Sequence, residues 1–374
     1  MNTSRNSTRK LHGNKVFYQV ACVNIVFMFT LMVLYGISLE EIPRQRFLAP
    51  RLKPTDNCKA KSFECKETFN RTLEDNLKVI QNYPRGIADD YLWKIGVNMT
   101  EPFRMKEFPV FVTAFDNRYY PQAQGLFKDL HLKFLNNEKY HKNVHIIVYD
   151  LGMTKRQLRM LYHKCKCEIR KFPYDQFPEH VKTLHTYAFK PIIVQQMLME
   201  FGFVWWMDSS VRFTTDDLDP VLEYTIKNSM FYTVTTSDKD DFSLTKQTDT
   251  RTFEFLHEDR CKFQPYGETW ATTVMFHYDR LSRAVVEAWA VCALNRECIA
   301  PGDSLNKLFC YVENTSDGRC HRFDQSALGI FTRRLFHEQN TYPYFMPFED
   351  IYLIKRGDYV SYFESCVPLV KCML

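Results

Sequence analysis

The stretch FGFVWWMDSSVRF, residues 201–213, decides the fold class of this chain. Its first part, Phe203–Met207, is a short uninterrupted apolar run that ends at Asp208. Such a run is typical of a strand buried on both faces of a sheet. A strand of this kind needs helices on both sides, so the stretch predicts an α/β fold.

Two similar apolar runs precede it, PVFVTAF at 109–115 and VHIIVY at 144–149. The intervening and following segments are predicted to be helices at 119–136, 154–163 and 186–201, with a short strand at 168–172. Strands that alternate with helices indicate βαβ units and a mainly parallel sheet.

An aspartate follows each of the three apolar runs: Asp116, Asp150 and Asp208. Ligands of parallel sheets bind beyond the carboxyl ends of the strands. We therefore expect the three carboxylates at one edge of the sheet, and we interpret Asp150 as a turn residue that closes its strand.

Composition excludes several classes of protein. The 374 residues include only 12 Gly and 16 Pro, unlike collagen or Pro/Gly-rich disordered chains. The net charge is +5, but the first 15 residues hold four basic residues and no acidic one, which leaves 45 basic and 44 acidic residues elsewhere. A nucleic-acid-binding domain is usually clearly basic, so nucleic acid is not an expected partner.

Residues 16–39 are a 24-residue stretch without a charge, long enough to cross a lipid bilayer as one helix. Basic residues precede this stretch, and Glu40 and Glu41 follow it. The positive-inside rule then predicts a cytosolic tail at 1–15, a signal-anchor helix at 16–39 and a lumenal body in the Golgi or endoplasmic reticulum. A cleaved signal peptide is the alternative, but its apolar region is usually shorter.

Sequons and cysteines agree with a lumenal body. Sequons lie at Asn70, Asn98 and Asn314, and eleven cysteines follow the predicted anchor. In an oxidising compartment this density of cysteine indicates disulfides. Cys58 and Cys65 are predicted either to close a small loop or to link two chains in a disulfide-bonded homodimer.

Residues 40–107 are polar and rich in proline, and they are predicted to form a stem with some local structure. The folded domain is predicted at 108–374.

The stretch from 109 to about 353 resembles the nucleotide-diphospho-sugar glycosyltransferases of the GT-A fold, including the glycogenin-like and related membrane-anchored families. The segments that carry the resemblance, in order, are VTAFDNRYYPQAQGL (112–126), HIIVYDLGMTKRQL (145–158), YAFKP (187–191), FGFVWWMDSSVRF (201–213) and CHRFDQSALGI (320–330). The resemblance implies a membrane-anchored enzyme that moves a sugar from a nucleotide-sugar donor to a glycan or glycoprotein acceptor.

The same resemblance implies a divalent cation, Mn²⁺ or Mg²⁺, held by an Asp-x-Asp motif. A hard cation on carboxylate oxygens neutralises the phosphates of the donor and helps the diphosphate to leave. Here the aligned residues are Asp208, Ser209 and Ser210, so Asp208 is the candidate metal ligand and Ser210 replaces the second carboxylate.

Five further residues are candidates for the site. By resemblance, the loop with Asp116 and Arg118 contacts the nucleoside. Lys190 is a candidate cation for the donor phosphates, and Asp324 and Glu268 are candidate catalytic bases. An inverting transfer needs a carboxylate that takes the acceptor proton, whereas a retaining transfer does not, and the sequence does not separate the two. Asp324 is alternatively the N-cap of a helix.

Two rival interpretations stay open at this point. One is a non-catalytic membrane protein that binds a nucleotide sugar or a glycan on a degenerate transferase fold, and the other is a scaffold without a ligand. The first would lose its catalytic side chains, yet Asp208, Lys190 and Asp324 are all present. Protease, lipase and kinase motifs are absent from the sequence.

Overall fold

The computed structural model describes residue 65 and residues 67–234, 242–310, 316–337 and 348–364. The chain divides into two units, residues 1–62 and 63–374, and every described residue belongs to the second unit.

A central sheet of six strands runs through the second unit in the order β3-β2-β1-β4-β7-β6. Strands β1 to β4 are mutually parallel, whereas β7 is antiparallel to both β4 and β6. A separate pair, β5 and β8, is antiparallel. The strand bounds are β1 Val110–Phe115, β2 His145–Asp150, β3 Glu168–Lys171, β4 Phe203–Met207, β5 Val211–Phe213, β6 Met230–Val234, β7 Thr269–His277 and β8 Tyr352–Ile354. The predicted α/β class with a mainly parallel sheet is confirmed.

The α-helices of the described residues are α1 Leu73–Gln81, α2 Tyr120–Asp129, α3 Lys155–Lys164, α4 Phe189–Phe201, α5 Asp219–Asn228, α6 Thr250–Phe255, α7 Arg280–Leu294, α8 Arg296–Ile299 and α9 Asp324–Phe336. A π-helical turn, Leu130–Leu135, continues α2. The helix predicted at 186–201 begins only at Phe189, which places Pro191 in its first turn. Proline fits there because the first N–H groups of a helix have no partner within it.

The central position of β4 in the sheet explains why its sequence is apolar throughout. Successive side chains of a strand point to opposite faces. Trp205 packs in the core cluster beside α2, and Trp206 packs in the cluster beside α4, α7 and α9. Both indoles are buried, and the Trp205 Nε1–H donates to Thr273 Oγ1 at 2.8 Å.

The described part of the predicted stem packs into this same core. The apolar side of α1, with Leu77 and Ile80, is buried in the cluster that contains α7 and α9. The Tyr83 hydroxyl donates to the buried Glu258 at 2.6 Å. The folded unit therefore begins well before the predicted boundary at residue 108, because this segment has an apolar side that only the domain can bury.

Four disulfides join described cysteines: Cys65–Cys261, Cys165–Cys167, Cys292–Cys298 and Cys310–Cys320. The prediction of disulfides is confirmed for these eight residues. Cys65 pairs with Cys261 of its own chain, so the prediction that Cys65 pairs with Cys58 or bridges two chains is wrong. Cys58 lies outside the described residues.

The predicted anchor at 16–39 also lies outside the described residues. Within the part of the chain that the structure describes, no helix is both long and apolar enough to cross a membrane.

Candidate functional site

A cavity of about 540 Å³ lies beyond the carboxyl ends of β1 and β4. The topology explains its position, since β1 and β4 are adjacent parallel strands whose following loops meet at one edge. Six of the seven predicted site residues line it: Asp116, Arg118, Lys190, Asp208, Ser210 and Asp324. The seventh, Glu268, lines an adjoining cavity.

Lys190 is the centre of the site. It lies in the first turn of α4, and only 3% of its surface is exposed. Its Nζ is 2.7 Å from Asp324 Oδ2 and 3.2 Å from Asp208 Oδ1. It also donates to the Ala271 carbonyl at 3.0 Å. One ammonium group therefore joins three segments of the chain that are far apart in sequence.

The charge of Lys190 is stable in this environment. Burial alone lowers the pKa of a lysine, but the carboxylates of Asp208 and Asp324 oppose that effect, and the pKa of Lys190 is raised above its ordinary value. The ammonium therefore stays protonated at neutral pH. The cluster holds two carboxylates against one cation.

Asp324 is not an N-cap. It is the first residue of α9, and its carboxylate points to Lys190 while its carbonyl accepts from the Trp289 Nε1–H at 2.7 Å. The preceding residue, Phe323, has a φ of 49°, a left-handed conformation that is costly for a residue with a bulky side chain. This strained residue turns Asp324 into the cavity.

Asp208 keeps a partly accessible carboxylate at the end of β4. Its Oδ1 accepts from the Trp206 Nε1–H at 2.8 Å, and its side chain is 33% exposed. Asp208 is thus the exposed member of the cluster, and Asp324 is the buried member.

The turn after Asp208 is held from two sides. Gln122 Nε2 donates to Ser209 Oγ at 2.7 Å, and the buried Arg212 donates to the Ser209 carbonyl at 2.9 Å. Arg212 also donates to the carbonyls of Gln122 and Asp358. The side chains therefore fix the turn against both α2 and the chain after β8.

Asp116 and Arg118 form a rim beside the cluster. Arg118 Nε donates to Asp116 Oδ2 at 2.6 Å, and the arginine is largely exposed while the aspartate is buried. Asp150, at the end of β2, accepts from the N–H groups of Gly152 and Met153 at 2.8 and 2.7 Å. The interpretation of Asp150 as a turn residue is confirmed.

Glu268 precedes β7 and is 2% exposed. Burial raises its pKa to about 7, although Arg322 opposes the shift, with its Nε 4.0 Å from Glu268 Oε1. Arg322 and Gln325 line both this cavity and the one around Lys190. A carboxyl with this pKa exchanges protons readily near neutral pH.

The residues at Asp208 do not fit the two-carboxylate cation site that the resemblance implies. Ser210 offers at most a hydroxyl, and Lys190 already occupies the space between Asp208 and Asp324. Among the described residues, no group of three or more His, Cys, Asp or Glu side chains is arranged to hold a metal.

Sequence reasoning missed the residues that support the site: Gln122, Arg212, Arg356 and Tyr359. Arg356 and Tyr359 line the cavity although they follow β8, far along the chain from β1. No local pattern marks them, since only the pairing of β5 with β8 brings that segment to the site.

His321 is buried beside the site and is held in a neutral form. Its Nδ1 accepts from the Asp249 N–H at 3.1 Å, and its Nε2 lies 2.9 Å from the Ile299 carbonyl. Burial lowers its pKa to about 4. The arrangement explains how the loop before α9 is fixed in place.

A family model described as "Protein of unknown function (DUF1647)" matches residues 56–195. No curated protein matches the chain in sequence.

Several solved structures are similar to the chain. The bifunctional glycosyltransferase WbbM, in an apo structure, is 12% identical with a TM-score of 0.36 over 52% of this chain, which spans only 37% of WbbM. Mouse xyloside xylosyltransferase 1 is 10% identical with a TM-score of 0.34, over 62% of this chain and 82% of its own. Core-mannan synthase A of Aspergillus fumigatus, in a form with Mn and GDP, is 11% identical with a TM-score of 0.33, over 63% of this chain and 72% of its own. All three are glycosyltransferases.

Proposed function

We propose that this protein is a glycosyltransferase that moves a sugar from a nucleotide-diphosphate donor to a hydroxyl of a glycan or glycoprotein acceptor. The observation that carries the proposal is the Lys190 ammonium, buried between Asp208 and Asp324 in a cavity at the carboxyl edge of a parallel sheet. A fixed positive charge in such a cavity favours an anionic leaving group.

Other residues that line the cavity also favour binding of a nucleotide sugar. Arg118 and Arg322 add positive charge, and the aromatic rings of Tyr119 and Tyr187 line it beside them. Its volume of about 540 Å³ falls within the range of pockets that hold ligands of this size.

The reaction breaks the bond between the anomeric carbon and the phosphate oxygen of the donor. The acceptor hydroxyl oxygen forms the new bond to that carbon, and the diphosphate leaves with the electron pair. Lys190 stabilises the charge that develops on the leaving oxygen. The hydroxyl proton passes to a carboxylate in an inverting transfer, or to the departing phosphate in a retaining one.

Glu268 is our first choice for the base of an inverting transfer. Its pKa of about 7 lets it accept a proton at neutral pH and release it afterwards. Asp324 is less suited, because its carboxylate is engaged with Lys190 at 2.7 Å.

A second candidate function is binding of a nucleotide sugar or glycan without transfer. The observation that favours it is Ser210 in place of a second carboxylate. Binding without release of a nucleoside diphosphate would support this alternative.

We also propose that residues 16–39 anchor the chain in the Golgi or endoplasmic reticulum membrane, with the body in the lumen. The absence of charge in that stretch and the four disulfides support this location. The described sequon residues Asn70 and Asn98 are both exposed, as glycan acceptors must be. Protection of the body from protease in sealed microsomes tests the topology.

The proposed activity is tested with the full chain in detergent against a panel of nucleotide sugars. We expect one donor to raise the melting temperature, since a ligand that binds only the folded state stabilises it. The same donor should release its nucleoside diphosphate when acceptor glycans are added. Stabilisation by no nucleotide sugar would refute the proposal.

A further inference from the structure

We propose that Lys190 takes the place of a divalent cation, so that this chain binds the diphosphate of its donor without a metal. This inference rests on the proposed function and assigns the source of positive charge in its site.

The first step is the position of the ammonium. Nζ of Lys190 lies between the two carboxylates that face the cavity, 3.2 Å from Asp208 and 2.7 Å from Asp324. These are the acidic groups to which a cation would have to bind. The ammonium therefore already offsets part of the negative charge that would attract a metal.

The second step is the shortage of free oxygen ligands. Mg²⁺ and Mn²⁺ prefer several hard oxygen ligands, and proteins usually supply one or two carboxylates. Asp208 Oδ1 is engaged by Lys190 and by the Trp206 indole, and Asp324 is 4% exposed. The neighbouring acid, Asp116, is paired with Arg118 at 2.6 Å.

The third step is electrostatic. A dication held by the remaining oxygen of Asp208 would lie close to a buried ammonium, and like charges at short range in a poorly solvated site repel strongly. The amine of Lys190 cannot withdraw easily, because its third contact is the Ala271 carbonyl of β7. The three N–H groups of Lys190 are directed at Asp208, Asp324 and Ala271, so the ammonium acts on a diphosphate as a point charge.

The inference predicts the behaviour of nucleoside diphosphates, which are the probes of choice while the donor sugar is unidentified. The full chain in detergent is freed of metal with a chelator, and the affinities for UDP and GDP are measured by calorimetry with chelator and then with Mn²⁺. We expect one of the two nucleotides to bind with affinities that agree within about threefold in the two conditions. Paramagnetic resonance should detect no Mn²⁺ bound to the protein alone.

Lys190→Met removes the charge at similar length. We expect it to weaken binding of that nucleotide by at least about tenfold, and Mn²⁺ should not restore the affinity. Lys182→Met is the matched control, because Lys182 is an exposed lysine paired with Glu179 outside the cavity. The control should bind as the wild type does.

The outcomes separate the inference from the proposed function. Binding by the wild type only when Mn²⁺ is present overturns the inference and leaves the transferase proposal intact. A folded Lys190→Met chain that binds normally in chelator also overturns it. Binding of neither nucleotide in any condition overturns both. If Lys190→Met does not fold, the wild-type comparison decides alone.

Discussion

At the scale of single residues, two buried carboxyl groups near the site are stabilised in different ways. Asp324 Oδ2 lies 2.7 Å from the Lys190 ammonium, whereas the Arg322 Nε is 4.0 Å from Glu268 Oε1. Burial is the largest effect on both carboxyl groups and raises the pKa of each, that of Asp324 against the opposing Lys190 ammonium and that of Glu268 to about 7. The two carboxyl groups therefore differ in their contacts, since Asp324 is paired with the Lys190 ammonium and Glu268 is not.

Glu268→Gln tests the role of the base. In the wild type the rate of an inverting transfer should rise with pH up to about 7 and then level off, since only the carboxylate accepts a proton. The variant should lose this rising limb and fall about 10²–10⁴-fold at the plateau. Glu179→Gln, an exposed acid outside the cavity, is the control. An unchanged pH profile in the Glu268 variant would exclude it as the base.

The pH dependence of stability gives an independent test of the raised pKa of Glu268. The folded-state pKa of Glu268 lies above its ordinary value, so the unfolded chain loses its proton first and stability falls as pH rises from about 4.5 to about 7. Above that range the effect is complete and amounts to about 3 kcal/mol at most. Urea titrations across this pH range give the free energy of unfolding of the wild type and of Glu268→Gln. The slope of that free energy against pH should therefore differ between the two proteins. Parallel curves would show that the pKa is not raised.

At the scale of elements, Arg212 on β5 determines the geometry of the turn after β4. It contacts α2 closely enough that a Cβ on Gly125 would lie 2.2 Å from Arg212 Nη2. The guanidinium has little freedom to move, since it also donates to the Ser209 and Asp358 carbonyls. Glycine at 125 is therefore required by the close approach of α2 to the site.

Gly125→Ala should displace Arg212 and with it the turn that carries Asp208. We expect a loss of about 1–3 kcal/mol in the free energy of unfolding, as for other over-packed sites, and weaker nucleotide binding. Gly329→Ala on α9 is the matched control, because its nearest neighbour is the flexible end of Leu244. If both variants bind nucleotide equally well, Arg212 does not support the site. Chemical denaturation and calorimetry make the comparison.

The elements also show what the sequence could predict. Strands β1, β2 and β4 are continuous apolar runs, and the position of Asp208 followed from the rule for parallel sheets. The links that hold the turn could not be found in this way. Gly357 donates to Gln122 from 235 residues away, and only tertiary packing brings such residues together.

The start of the domain was missed for a related reason. Helix α1 has nine residues and an apolar side of only a few side chains, within a segment that is otherwise polar. Its burial depends on α7 and α9, which lie more than 190 residues later. A short amphipathic segment carries no sign of a partner so distant in sequence.

At the scale of the whole molecule, the Cys65–Cys261 disulfide ties the start of the described chain to the segment before β7. The two cysteines are 196 residues apart. A crosslink over so long a loop restricts the unfolded chain strongly. It helps to keep the segment with α1 on the core that it covers.

Replacement of Cys65 and Cys261 by serine should lower the free energy of unfolding by about 2–5 kcal/mol, by loss of that restriction. Denaturant midpoints under non-reducing conditions measure the effect. The matched comparison is the pair Cys310 and Cys320, which closes a loop of only 10 residues and should contribute less. A larger loss for the short loop would contradict this account.

The central claim is that sugar transfer takes place at the carboxyl end of β4, and turnover of Asp208→Asn tests it most directly. The change removes the charge at nearly constant shape from a carboxylate that is 33% exposed, and Asp324 still pairs with the buried Lys190, so the variant should fold. Asp175→Asn, at a side chain that is 99% exposed, is the control. Because Asp208 helps to position the Lys190 ammonium that stabilises the leaving group, we predict that release of nucleoside diphosphate falls at least about 10²-fold in Asp208→Asn and is unchanged in the control. A folded Asp208→Asn chain with full turnover would contradict the placement of the active site.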